Sequence, residues 1–245
     1  MSTYTISIKP FGAHAVIVEW PMEVEEAILY DILQYLQHLK AHCLAQEDWE
    51  LIPAYNSLTF VHRETPIDFE NFSQHLKEWY ANKGETQDVP RFLWRLPVCY
   101  DKAFGIDLSE VSDRLGKSIS EIITLHTQHT YTVYGIGFLP GFMYLGGLPQ
   151  SLEVARRTTP RLLVEKGSVG LASKQTGIYP QDSPGGWNII GNCPIPMFNI
   201  NKDDPCFVSV GDKIQFYAIS RAEYDLHKIE GEVGIFQLEK RLVDA

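Results

Sequence analysis

The sequence is poor in the features that mark membrane, metal-binding and nucleic-acid proteins. No apolar run among its 245 residues approaches the roughly 18–20 needed to cross a bilayer. Met1-Ser2-Thr3-Tyr4 lacks the basic and apolar regions of a secretory signal. A cytoplasmic protein with no membrane partner is expected. The four cysteines, Cys43, Cys99, Cys193 and Cys206, are scattered and form no C-x-x-C pair. This excludes a zinc ribbon or dithiol motif and predicts reduced, buried thiols. Basic residues are scarce, 21 Lys/Arg against 31 Asp/Glu for a net charge of -10, which argues against a phosphate-backbone ligand. What is abundant is apolar: 44% hydrophobic residues with 21% charged describe a globular chain with a real core.

The charge is uneven. Residues 1–90 carry five Lys/Arg and 14 Asp/Glu, whereas residues 91–245 carry 16 and 17, a contrast that suggests two domains. Between them, residues 81–90 hold Gly84 and Pro90 and almost nothing apolar, the composition of a boundary. The division expected is an α+β domain over 1–85, the end of a linker over 86–90, a β-domain over 91–220 and a tail over 221–245.

The first part reads strand, strand, helix, strand, strand, helix. Tyr4–Ile8 and Ala15–Trp20 are rich in β-branched and aromatic residues around the turn Pro10-Phe11-Gly12. From Pro21 onward Ile28, Ile32, Tyr35, Leu36 and Leu39 follow helical spacing. Strands at Glu50–Ile52 and Leu58–His62 precede a second helix with Phe69, Phe72, Leu76 and Trp79 on one side. Beyond residue 90 come short segments broken by Gly and Pro: Phe92–Val98, Thr130–Phe138, Arg161–Val164, Ser168–Ser173, Trp187–Ile190, Phe207–Val210 and Lys213–Ile219. That punctuation predicts a β-barrel or sandwich. Two helices interrupt it, with capping-box spacing at Asp107/Glu110 and Ser118/Glu121.

Two dense motifs offer chemistry. The run Tyr134–Pro149 contains Gly135, Gly137 and Gly141. Its G-x-G-x-x-x-G spacing is not a dinucleotide fingerprint, and no Gly-Lys-Ser/Thr follows to form a phosphate loop. An aromatic turn, with glycines at positive φ, explains it as well. In the second motif Arg161, Gln175, Thr176, Tyr179 and Ser183 stand near Trp187, donors and acceptors suited to a carboxylate and an amide in a substrate or nucleotide pocket, although Gln175 and Ser183 also suit turn capping. Arg156 and Arg157 read as a solvated face. His38/His42 and His126/His129 lack a third ligand at motif spacing, so no metal site is expected. His126 and Ser168 are the candidates for catalysis: the histidine as a proton carrier ahead of the glycine-aromatic strand, the serine without a G-x-S-x-G elbow around it.

The motifs Gly141-Phe142-Met143-Tyr144-Leu145-Gly146-Gly147-Leu148, Gln175-Thr176-Gly177-Ile178-Tyr179-Pro180 and Ser183-Pro184-Gly185-Gly186-Trp187 together resemble one family. It is the family of the 5-oxoprolinase B subunit, which takes in allophanate hydrolase subunit 1 and Kip-type inhibitors of a sensor histidine kinase. Pro53-Ala54-Tyr55, Leu96-Pro97-Val98-Cys99-Tyr100 and Val210-Gly211-Asp212 extend the resemblance over roughly residues 4–220.

The resemblance implies a ββαββα-type N-terminal domain followed by a cyclophilin-like β-barrel. It also implies a non-autonomous subunit, inactive alone, that works with a carboxylase-related C subunit and an A subunit to open 5-oxoproline to glutamate. ATP would be the co-substrate of the complex, accompanied by Mg. The alternatives are inhibition of a histidine kinase and an independent small-ligand binder. The chain departs from the family at Gly12-Ala13-His14, where Gly-Asp is usual, and at Ala172-Ser173-Lys174, where a glycine-rich segment is usual. Lys174 would place a cation beside Gln175.

Overall fold

The computed structural model describes residues 4–44, 48–84 and 89–243. The chain divides into two compact units, one up to Pro90 and one from Arg91. Residues 86–88 of the expected linker lie outside the described residues.

The first unit runs β1 (Ser7–Pro10), β2 (Ala15–Glu19), α1 (Glu26–His42), β3 (Trp49–Ala54), β4 (Ser57–His62) and α2 (Phe69–Ala81). Its antiparallel sheet has the order β1-β2-β4-β3. Val16, Val18, Leu58 and Phe60 on the sheet pack against Ile28, Ile32, Tyr35 and Leu39 of α1 and Phe72, Leu76 and Tyr80 of α2. The periodicity that predicted α1 is correct, but the helix begins at Glu26 rather than near Pro21, because a local turn comes first, with Glu23 N bonded to Pro21 O. β3 and β4 are longer than expected and are joined by Tyr55 and Asn56 alone, Tyr55 adopting φ 53°. One carboxylate is buried in this core. Asp31 accepts from Trp20 Nε1 and Tyr80 OH, both at 2.7 Å, and from Lys83 Nζ.

The second unit contains β5 (Arg91–Cys99), α3 (Leu108–Leu115), α4 (Ile119–Gln128), β6 (Thr130–Ile136), β7 (Met143–Gly146), β8 (Arg161–Val164), β9 (Ser168–Ala172), β10 (Gln175–Ile178), β11 (Ser183–Gly185), β12 (Asn188–Asn192), β13 (Lys213–Ile219), α5 (Arg221–Glu232) and β14 (Glu239–Val243). Seven strands, in the order β12-β9-β10-β7-β6-β13-β5, close into a barrel through the pairing of Asn192 with Cys99. β13 runs parallel to β5. Closure depends on Gly191, since a Cβ there would lie 2.8 Å from Cys99 O. Leu96, Val98, Tyr131, Val133, Leu145, Val169, Leu171, Ile190, Ile214 and Phe216 fill the interior. β8 and β11 form a separate two-stranded ribbon.

Several sequence readings change here. Met143–Gly146, Gln175–Ile178 and Ser183–Gly185 are strands that the sequence did not announce. Phe207–Val210 is not a strand: the Asp212 carboxylate takes Ser209 N at 3.0 Å along with Phe92 N and Trp94 Nε1, holding this stretch as a turn against β5. Residues 221–243, read as a tail, form α5 and β14. Ser220 and Glu223 make a full capping box, and β14 pairs with β5 from Glu239↔Arg95 to Val243↔Arg91.

Candidate functional site

The glycine-aromatic run resolves first. Tyr134–Ile136 complete β6, the chain turns through Phe138, Pro140 and Gly141, and β7 returns beside β6. The turn closes on itself through Gly137 N to Phe142 O at 3.0 Å and Phe142 N to Leu139 O at 2.9 Å. A hairpin end of this kind presents no helix N-terminus to a phosphate. Its Phe142 instead anchors an aromatic wall, with ring centroids 5.4 Å from Tyr179 and 5.5 Å from Trp187. Arg156 lies over Trp187 at 5.8 Å.

Asp107 was expected to cap α3. Its backbone, at φ -105° and ψ 0°, is already helical, and its side chain makes no cap bond, because a cap needs extended geometry to reach the first turn. Buried to 2% exposure, the carboxylate is instead an ion-pair hub. Arg161 grips both oxygens, with Nη1 to Oδ2 at 2.9 Å and Nη2 to Oδ1. Arg157 Nη1 adds a bond at 3.0 Å while also reaching Glu110 Oε2 at 2.9 Å, and Ile189 N donates to Oδ2 at 2.7 Å. Arg157 is therefore part of this network, not a solvated charge. Its pairing with Glu110 raises its pKa further. The fork of Arg161 is committed to Asp107, which corrects its reading as an open carboxylate receptor.

Beside this hub is a cleft of about 140 Å³ whose wall includes Phe104, Ile106, Arg161, Leu163, Ser168 and Asn192. The structure therefore brings Arg161 and Ser168 together. Ser168 is 5% exposed and lines the cleft, its hydroxyl making no hydrogen bond to another described residue. Asn192 sits directly opposite it in the β9–β12 pairing. The tight turn into β9 uses Gly167 at φ +83°, where a Cβ would lie 2.3 Å from Asn192 Oδ1 and 2.4 Å from Cys193 O. No other residue fits there without moving that asparagine.

Of the remaining candidates, Tyr179 and Trp187 meet in one buried cluster, with ring centroids 6.4 Å apart. Tyr179 is buried in the aromatic wall, where desolvation raises its pKa although the Trp187 backbone N–H and the charges of Arg156 and Arg161 pull the other way. Ser183 bonds the neighbouring Pro184 O at 3.2 Å, the local role its sequence also allowed. Gln175 begins β10, paired with Ala172 across the turn Ser173-Lys174, and is half-buried. Thr176 and His126 lie inside the barrel, both 0% exposed.

His126 is fully committed there. Thr176 Oγ1 donates to Gly170 O at 3.0 Å and so accepts from His126 Nε2 at 2.9 Å, leaving Nδ1 to accept from Tyr100 OH at 2.7 Å. The ring stacks on Phe216 at 4.6 Å. Burial pushes its pKa down to about 3, with His129 adding to the shift. A neutral, enclosed imidazole with both nitrogens bonded carries no proton to a cleft, so His126 is a core residue. Among the described residues no group of three or more His, Cys, Asp or Glu is placed to hold a metal, and no helix is long and apolar enough to cross a membrane. Sequence reasoning missed Asp107, hidden behind a capping pattern, and Asn192, which lies in no motif.

Comparison with known proteins agrees with this architecture. Residues 6–208 match the family described as carboxyltransferase domain, subdomain C and D. The chain is 33% identical to the 5-oxoprolinase B subunit of Bacillus subtilis, over 93% of this chain and 99% of that one. It is 35% identical to the protein of the same name from Haemophilus influenzae, over 86% and 97%. Among solved structures it superposes on TTHA0988 with a TM-score of 0.72 and 29% identity, covering 85% of this chain and 40% of that one. The Kluyveromyces lactis urea amidolyase, at 15% identity and a TM-score of 0.81, shares the fold over 98% of this chain and 16% of its own. The chain belongs to the carboxyltransferase subdomain C and D family, in the branch that contains the 5-oxoprolinase B subunits.

Proposed function

We propose that this chain is the B-type component of an ATP-dependent 5-oxoprolinase that works with an A subunit and a carboxylase-related C subunit. The reaction is 5-oxo-L-proline with ATP and water giving L-glutamate, ADP and phosphate. The observation that carries this reading is end-to-end similarity to a protein named as the B subunit of that enzyme, 93% of this chain against 99% of the relative. We also read the barrel as cyclophilin-like, with no isomerase activity attached to that likeness.

The chemistry suits a division of labour. A lactam carbonyl is a poor electrophile; phosphorylation of its oxygen by ATP, releasing ADP, makes it one that water attacks. The ring C–N bond then breaks with the nitrogen taking up a proton to leave a γ-glutamyl phosphate, and a second water releases phosphate and glutamate. This chain's share is to hold a small cyclic amide. A cleft of about 140 Å³ lies below the roughly 300–1,000 Å³ of sites for larger ligands. With no phosphate loop beside it, the cleft does not fit a nucleotide, so ATP with its Mg is assigned to a partner subunit.

The test is glutamate release from 5-oxoproline and ATP by the three purified proteins, omitting each in turn. Activity that needs all three supports the reading. Undiminished activity without this chain overturns it and turns attention to inhibition of a histidine kinase.

A further inference from the structure

Two cross-strand partners, Ser168 and Asn192, line the cleft with hydrogen-bonding capacity left over. Ser168 on β9 and Asn192 on β12 are direct cross-strand partners, so their side chains share one face with Cβ atoms about 5 Å apart. Both line the cleft. Ser168 is 5% exposed, and its hydroxyl, which makes no hydrogen bond to another described residue, faces the cleft it lines and offers a lone pair and a proton. The Asn192 carboxamide is oriented without ambiguity. Lys166 O is only an acceptor, so Nδ2 faces it at 2.9 Å, and Oδ1 faces Tyr224 OH at 3.0 Å. One Nδ2 hydrogen remains.

Tyr224 belongs to α5, beyond the residues matched by the family. Its ring packs on Phe104, a cleft-wall residue, at 4.3 Å, and Arg221 covers the same Phe104 ring at 4.6 Å. Burial pushes the Tyr224 phenol up to about 12, so at neutral pH it remains a donor. The C-terminal helix thus supports the cleft from behind.

We propose that Ser168 and Asn192 form a clamp for a small cis-amide, a lactam or ureide, and that Tyr224 is a positioning residue that holds the Asn192 carboxamide in register. A cis-amide carries its N–H and its C=O on one edge. The N–H donates to Ser168 Oγ, and the C=O accepts from the free Nδ2 hydrogen of Asn192. The ring lies against Phe104, Ile106 and Leu163. This deepens the oxoprolinase reading and rests on it for the identity of the substrate, but the binding chemistry stands on the cleft alone.

The experiment titrates 2-pyrrolidinone into the 15N-labelled full-length chain and follows the Asn192 carboxamide resonances. Saturable shifts are expected, with a loss of about tenfold in affinity for N-methyl-2-pyrrolidinone, which has no N–H, and a similar loss for Ser168→Ala and Tyr224→Phe. The phenylalanine keeps the ring packing, so an unchanged amide spectrum elsewhere shows that the fold is intact. Absence of any shift, equal binding of the two lactams, or unchanged affinity in Tyr224→Phe overturns the clamp. In the assembled complex, Tyr224→Phe is expected to raise KM for 5-oxoproline about tenfold with kcat nearly unchanged, the signature of lost uniform binding. An active complex with unaltered KM in that variant refutes the clamp and spares the oxoprolinase reading. An inactive wild-type complex refutes that reading while the titration still decides the clamp.

Discussion

Replacing Asp107 gives the sharpest test of how the cleft is held together. Its carboxyl group, 3% exposed, takes two bonds from Arg161, one from Arg157 and one from Ile189 N. Asp107→Ala leaves a buried backbone donor without a partner, a cost of about 1–3 kcal/mol. It also leaves two guanidinium groups without their counter-ion. Removing one partner of a fully buried pair costs about 3–5 kcal/mol, but the arginines are 26–27% exposed and Arg157 keeps Glu110, so water and that second carboxylate recover part of it. The expected total for Asp107→Ala is about 3–4 kcal/mol. Asp107→Asn retains an oxygen for Ile189 N and is expected to cost about 2 kcal/mol. Native-state hydrogen exchange reads both values at amides of β9 and β12, so the first unit does not enter the measurement. If both variants stay within about 0.5 kcal/mol of the parent, the range of ordinary surface changes, the hub does not hold the cleft and the argument fails.

Three further outcomes are expected. His126 has a folded-state pKa of about 3 against 6.5 for the unperturbed group. Its stabilisation is complete above pH 6.5 and is lost as pH falls toward 3, amounting to about 2 kcal/mol by pH 5; urea titrations at pH 7.5 and 5 should show this, and His126→Gln should remove that part of the slope. Asp31→Ala strands Trp20 Nε1, Tyr80 OH and the Lys83 ammonium and should lower stability by about 3 kcal/mol. Exchange protection is then lost in residues 57–62 and kept in residues 168–172, and uniform loss in both would count against two separately cored units. Gly167→Ala forces a Cβ into Cys193 O and Asn192 Oδ1 at a positive φ; a drop of about 2 kcal/mol in a thermal melt of the barrel is expected, and an unchanged melt would show that the turn relaxes freely.

The sequence disclosed those parts of the fold whose cause is local. The helix spacing of Phe72 and Leu76 sits on one face of α2, and the Ser118/Glu121 box caps α4 as its spacing required. Asp107/Glu110 shows where that logic stops: the same spacing, with Asp in place of Ser at the cap, was diverted by two arginines about 50 residues away, and a long-range ion pair leaves no periodic trace. β7, β10 and β11 escaped notice for a related reason. They are three or four residues long and each contains Gly, too short to show a period of their own, and they become strands because neighbours pair with them.

The candidate site follows the same division. Sequence motifs drew Arg161, Gln175, Tyr179 and Ser183 into one pocket beside Trp187 because they are near in the chain; Tyr179 does lie against Trp187, with ring centroids 6.4 Å apart, whereas the fork of Arg161 is spent on Asp107. A strand only four residues long separates its ends by about 10 Å, and alternate residues face opposite sides of the sheet. Thr176 accordingly points inward to His126, while Ser168 meets Asn192 across a pair of strands. In a closed barrel, proximity belongs to register and not to sequence distance. Asn192 was invisible to motif reading because its partner Ser168 is 24 residues away in the chain and its support, Tyr224, another 32. The β9–β12 pairing brings Ser168 and Asn192 together, and the return of α5 adds Tyr224. A substitution that shifts the β9–β12 register by one residue would therefore separate the clamp while leaving every recognisable motif of the sequence in place.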